Sequence, residues 1–151
     1  MTMRKPVWFM VASRSTARLM RGQMIEGGRC HVQEEAVFEH DDLEKEFHRP
    51  SSRMGRAGST QESHIAEESM ARFARKVANE LEKMMQEKGI GDMKVFAPPR
   101  MMGALKKAVP NRVAERINHH QADLAHLPDS SLARYPEVMN MVQSAPAVPL
   151  A

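Results

Sequence analysis

Val7-Trp8-Phe9-Met10-Val11-Ala12 is an unbroken apolar run, and it predicts a central strand covered on both faces. After the polar break Ser13-Arg14-Ser15 the pattern alternates. Ala17 and Leu19 fall on one side and Arg18 and Met20 on the other, as in a half-buried strand. Two strands this close in sequence must be antiparallel, because a parallel return needs a long crossover. Glu26-Gly27-Gly28-Arg29 supplies the next turn, and His31 to Phe38 predicts a third, weaker strand. Residues 39–61 carry no clear period and read as a loop of the functional or disordered kind.

The clearest element follows. Ala66, Met70, Phe73, Val77, Leu81 and Met84 recur at spacings of three and four, which predicts a long amphipathic helix. Ser59-Thr60-Gln61-Glu62 offers a capping box, and Gly89 can close the far end in the left-handed conformation. Met93 to Ala97 predicts a short strand stopped by Pro98-Pro99. Met101 to Ala108 predicts a helix, with another turn from Pro110 through Arg116. A strand falls somewhere within 117–126. A last helix starts at Pro128-Asp129, with Leu132, Tyr135, Val138, Met139 and Val142 as its apolar face and Pro136 as a shortening or kinking defect. The Pro/Ala-rich segment 144–151 is expected to fray beyond a single domain at 1–143.

The element order is βββ-α-β-α-β-α. A meander followed by alternating helices and strands implies an α/β fold in which the last two strands run parallel to the first. The expected product is a five-stranded mixed sheet of order 3-2-1-4-5, the ribonuclease-H-like arrangement.

With 151 residues and 42% hydrophobic side chains the chain can bury a real core. One cysteine, Cys30, cannot staple a monomer. The apolar run after Arg4 and Lys5 is six residues, shorter than the roughly 7–15 of a signal core. No stretch approaches the ~20 apolar residues of a membrane span. A cytoplasmic protein without membrane insertion is expected.

The net charge of +3 is unevenly spread. Residues 31–48 hold seven acids and one Lys, whereas 49–58 hold three Arg and no acid, and 93–127 hold six Lys or Arg against two acids. Such segregation suits either a polyanion partner or an ordinary solvated surface. Arg49, Arg53 and Arg56, interleaved with Ser and Gly, can order onto phosphates. Arg100 follows Pro98-Pro99 at the carboxyl end of a parallel strand, where open α/β sheets bind ligands. Its alternative is a salt-bridged surface residue. Aromatics are 5% of the chain, and Trp8, Phe73 and Phe96 are expected in the core, so RNA contact would be to backbone and shape. The 14 methionines read as pliable core.

Catalytic chemistry finds little support. A two-metal nuclease needs carboxylates on the first and fourth strands and near the first helix. Val7–Ala12 and Met93–Ala97 have none, Asp92 precedes its strand, and Glu67 and Glu68 lack partners. Adjacent His119 and His120 would point to opposite faces of a strand and could not readily share an ion. No metal, no cofactor and no enzymatic activity are expected.

Several stretches resemble the bacterial host-attachment family: Val7–Ala12 with Ala17-Arg18-Leu19, Arg49-Pro50, Phe73-Ala74 with Val77-Ala78 and Leu81, Val95-Phe96-Ala97-Pro98-Pro99-Arg100-Met101-Met102-Gly103 with Leu105, and Asp123-Leu124-Ala125-His126-Leu127. Ser13 stands where the family often has Asp, and Gln121-Ala122 where Asp-Lys is usual. The family is itself similar to the central domain of archaeal and eukaryotic release factors and Pelota. There a Gly-Gly-Gln loop precedes the long helix. The matching position here includes Arg53, Gly55, Arg56, Gly58 and Gln61, which is basic and Gly-rich but lacks Gly-Gly-Gln. The resemblance therefore implies contact with the ribosome or a structured RNA without peptide release. The family's description implies an indirect role in attachment to host cells or surfaces.

Overall fold

The structure is a computed structural model and describes residues 2–40 and 58–149. A short strand β1 (Thr2–Arg4) leads into β2 (Val7–Ala12), which is central and carries the first apolar run. β3 (Thr16–Ile25) returns antiparallel to it, with Phe9 opposite Met20 and Ala12 opposite Ala17. Gly27 and Gly28, at φ 85° and 73°, reverse the chain where a side chain would be strained, and β4 (Arg29–Glu39) pairs back along β3. A bulge at Leu19/Met20 interrupts that pairing.

Helix α1 (Gly58–Lys88) crosses the sheet and is stopped as the sequence predicts. Gly89 takes φ 64°, and the Ile90 N–H donates to Met85 O at 2.8 Å. β5 (Met93–Ala97) then joins β2 in parallel, α2 (Pro99–Ala108) and the short α3 (Asn111–Ala114) follow, and β6 (Ile117–Gln121) adds in parallel to β5. The five-stranded order β4-β3-β2-β5-β6 is the expected one, with the meander on one side and the parallel pair on the other.

Pro136 divides the expected last helix in two. α4 (Asp129–Arg134) ends at Tyr135, whose extended backbone (ψ 128°) lets Pro136 open α5 (Pro136–Gln143). The expectation of a frayed tail meets a different arrangement: β7 (Ala147–Pro149) pairs antiparallel with β1. The Arg4 guanidinium helps to hold this return by donating to the carbonyls of Gln143 and Ala145.

The sheet separates two apolar layers. Met10, Ala12, Leu19 and Val95 face α1 and α2 and meet Phe73, Val77, Leu81, Met102 and Leu105. Phe9, Val11, Met20 and Phe96 face the other way, onto Leu124, Leu132, Val138 and Val142. Phe9 and Phe96 pack edge to face at 5.9 Å. Met10, Met20, Met93, Met101 and Met102 are buried in these layers, consistent with methionine as core filler. Trp8 departs from expectation. It is only partly buried, at the margin of the first layer, and the Lys88 ammonium lies 5.5 Å from its ring centre. No helix among the described residues is long and apolar enough to cross a membrane.

Candidate anion-binding groove

The carboxyl ends of β2 and β5 lie side by side, and each hands the chain to a basic residue. After β2, the Ser13 hydroxyl accepts hydrogen bonds from the N–H groups of Ser15 (3.2 Å) and Thr16 (3.1 Å). This closes a tight turn with exposed Arg14 at its tip. An Asp at position 13 would accept the same two bonds, so the Ser leaves the turn intact while removing a negative charge. After β5, Pro98 caps α2, and the Met102 N–H donates to Pro98 O at 2.8 Å. Arg100 stands exposed in the first helical turn.

Chain direction places α1 and α2 next to each other, both running away from this sheet edge. Between them lies a groove of about 580 Å³. Its floor is small and apolar, made by Ala66, Ala71, Gly103 and Ala104 with Met70 beside them. Its rim carries Arg14, Arg75, Arg100 and Lys107 against the single carboxylate of Glu67. A Cβ built on Gly103 would meet nothing within 4 Å, so the floor is open there. Arg75, Arg100 and Lys107 make no hydrogen bond or ion pair among the described residues. Clustered cations at a concave surface focus a positive potential into it.

The same edge holds a buried polar contact. The imidazole of His40 stacks on Phe73 at 5.2 Å, and its Nε2 hydrogen-bonds the hydroxyl of Ser69, which is 2% exposed. The contact satisfies a hydroxyl that would otherwise be stranded in the core.

Of the residues singled out in the sequence, Arg100 sits on this rim. Arg49, Arg53, Arg56 and Gly55 lie outside the described residues. Gly58 and Gln61, expected in the loop, belong to α1, because the helix begins ahead of the Ser59–Glu62 capping box. Arg14, Arg75 and Lys107 were not singled out. The signal available in sequence is the run Arg100, Gly103, Ala104, Lys107 at helical spacing, which puts two cations and two small residues on one face.

The histidines fall as the strand period requires. On β6, His120 packs edge-on to Phe96 at 5.3 Å, on the α4–α5 side. His119 turns to the α1–α2 side, where burial first and the Lys106 charge second lower its pKa below the usual 6.5. Cys30 is half-buried, and burial raises its thiol pKa. No group of three or more His, Cys, Asp or Glu that could hold a metal ion occurs among the described residues.

The family model described as "Protein required for attachment to host cells" matches residues 8–135. The chain belongs to this family. The match spans β2 through the end of α4 and so includes all four rim cations. No curated protein matches the chain.

Two motifs that carried the sequence resemblance to the host-attachment family meet in space. Arg18, from Ala17-Arg18-Leu19, donates through Nη1 to the carbonyls of Ala125 (3.0 Å) and Leu127, within Asp123–Leu127. Its other nitrogens reach Glu34 at 2.6 Å and Asp129 at 2.7 Å. Arg18 is therefore a structural knot that ties β3 and β4 to the chain entering α4, on the side of the sheet away from the groove.

Proposed function

We propose that this member of the host-attachment family is a non-enzymatic binding protein that contacts structured RNA, on the ribosome or apart from it, through the rim of the α1–α2 groove. The observation that carries this reading is the convergence of Arg14, Arg75, Arg100 and Lys107 around one concavity with a single opposing carboxylate. Phosphate groups are the anions that such a rim matches, and contacts of this kind bind without reading bases. The likeness to the release-factor central domain supports the same direction. The Gly/Arg segment bearing Arg49, Arg53 and Arg56 would add phosphate contacts; it lies outside the described residues, and the reading rests on the groove. Without Gly-Gly-Gln, the role is binding and not peptide release.

The test is RNA binding at graded salt. A purified protein should bind a hairpin RNA with an affinity that falls as salt rises. The log–log slope should drop by about 1 for each rim cation replaced by Ala. In cell extracts the tagged protein should travel with ribosomal fractions or with RNase-sensitive complexes. Absence from both, together with no hairpin binding at low salt, sinks the reading.

The family's description favours a second reading, in which the protein supports attachment to a host or surface. A deletion strain should then attach less than its parent, with attachment restored by the intact gene. Unchanged attachment would remove this reading and leave the first untouched.

A further inference from the structure

The groove has two parts of different chemistry, and a bare polyanion uses only one of them. The rim is cationic, whereas the floor between the cations is apolar and open at Gly103. On α2, Arg100 and Lys107 are seven residues apart, about 10 Å along the axis, with Gly103 and Ala104 between them on the same face. Arg14 joins Arg100 at the sheet edge, and Arg75 on α1 joins the rim further along. A ligand that fills this shape has a flat apolar body and an anionic group at its end.

We infer that the groove takes a nucleoside phosphate: one nucleotide unit, with its base on the Gly103–Ala104 floor and its phosphates on Arg100 and the neighbouring rim cations. The inference deepens the RNA-binding reading and rests on it. Volume supports it, since about 580 Å³ falls within the range of small-ligand pockets. Stacking does not require an aromatic residue here. A guanidinium plane packs on a base as readily as a ring does, and Arg75 and Arg100 flank the floor. A protein helix fits less well. A stable protein partner needs about 800 Å² on each side, and this groove between α1 and α2 is only about as long as the 10-residue α2. The unit can be a free nucleotide or part of a single-stranded RNA, because the two present the same base and phosphate.

The experiment uses the full chain and titrates ADP, adenosine, inorganic pyrophosphate, a 5′-phosphorylated tetranucleotide RNA and an acidic helical peptide by calorimetry. ADP or the tetranucleotide should bind at least about tenfold more tightly than adenosine or pyrophosphate, each of which offers only half of the match. Preference for ADP identifies a free nucleotide as the source of the unit, and preference for the tetranucleotide identifies an RNA strand. Gly103→Leu fills the floor from a position with no neighbour to clash with. It should weaken the preferred ligand by about tenfold and leave pyrophosphate within about twofold. Arg100→Ala should weaken the preferred ligand and pyrophosphate together. An unchanged circular dichroism spectrum and a melting temperature no lower than the parent's confirm that the fold persists in Gly103→Leu. The inference is overturned if neither nucleotide ligand exceeds pyrophosphate, if Gly103→Leu leaves nucleotide affinity unchanged, or if the acidic peptide binds as tightly as the nucleotides. Hairpin RNA binding separates this failure from the broader one. If the hairpin still binds through Arg100 while nucleotides do not, the RNA reading stands without the nucleotide pocket.

Discussion

Replacing Arg18 by Met should cost about 2–3 kcal/mol of folding stability without touching the groove. The Arg18 side chain is 11% exposed, and its guanidinium donates to four acceptors on three segments: Glu34, Asp129 and the carbonyls of Ala125 and Leu127. The Glu34 and Asp129 side chains are 37% and 42% exposed, and their carboxylates can rehydrate when the cation leaves, so each contact is worth about 1 kcal/mol rather than the larger value of a sealed pair. The two carbonyls lose their donor in a sheltered site at about 0.5–1 kcal/mol each. Met keeps the apolar stem against the sheet and returns part of this. For a chain of this size the loss corresponds to about 5–10 °C in Tm. Urea unfolding of the parent, Arg18→Met, Asp129→Ala and the double variant measures the effect. The double-mutant cycle should return about 1 kcal/mol of coupling. A loss below about 0.5 kcal/mol, or no coupling, would show that the chain entering α4 is held by its apolar contacts alone and that Arg18 is incidental.

Three further outcomes follow from single positions. Gly22→Ala should destabilise by about 1–3 kcal/mol in urea melts, because its Cβ would come within 2.7 Å of Val142 Cγ2 and 3.3 Å of Val7 Cγ2, inside a packed layer. Gly103→Ala should do the opposite and stabilise by about 0.5–1 kcal/mol, since it replaces a mid-helix glycine in open space. His119 titrates below its unfolded value of 6.5, so on acidification the unfolded chain takes up this proton first. The contribution is present above that pH and is lost as pH falls from there through the lowered folded value. NMR titration should find the ring pKa below 6.5, and His119→Gln should flatten the pH dependence of stability in that window.

What could be read in the sequence was what local pattern decides. Val7–Ala12 announced a central strand because both faces are apolar, and Gly89 announced a helix end because only glycine takes φ 64° cheaply. Pro136 was visible as a defect, and the structure shows it as a boundary with α5 starting on it. The parts that escaped depend on long-range contact. β3 extends to Ile25 through Gly22 and Gln23, which look like turn residues until Val142 packs over Gly22. Ala147–Pro149 reads as a tail because nothing local shows that Thr2–Arg4 waits for it. The groove escaped for the same reason. Arg75 and Lys107 resemble solvated helix charges in sequence, and only the topology that sets α1 beside α2 brings them to one rim.

Topology alone would not say which end of the sheet an anion prefers, because a second and larger cleft, of about 890 Å³, lies at the opposite edge between Trp8, Lys88, Asp92 and Lys94. Two of its three cations, Lys88 and Lys94, are already engaged; Lys5 is the third. Lys94 pairs with Glu137 at 3.3 Å, Lys88 lies over the Trp8 ring, and Asp92 lines the same cleft. A phosphate held by Lys94 or Lys88 would have to displace a carboxylate or an aromatic partner, and each exchange returns little net energy. At the α1–α2 groove, by contrast, Arg75, Arg100 and Lys107 have no such partners among the described residues, and Glu67 is the one carboxylate on the rim. The groove therefore offers three cations unpaired among the described residues against one rim carboxylate, whereas the larger cleft offers Lys5 beside Asp92, so cleft size does not decide the preference. Replacing Lys94 should accordingly leave phosphate affinity unchanged under conditions where replacing Arg100 or Lys107 reduces it.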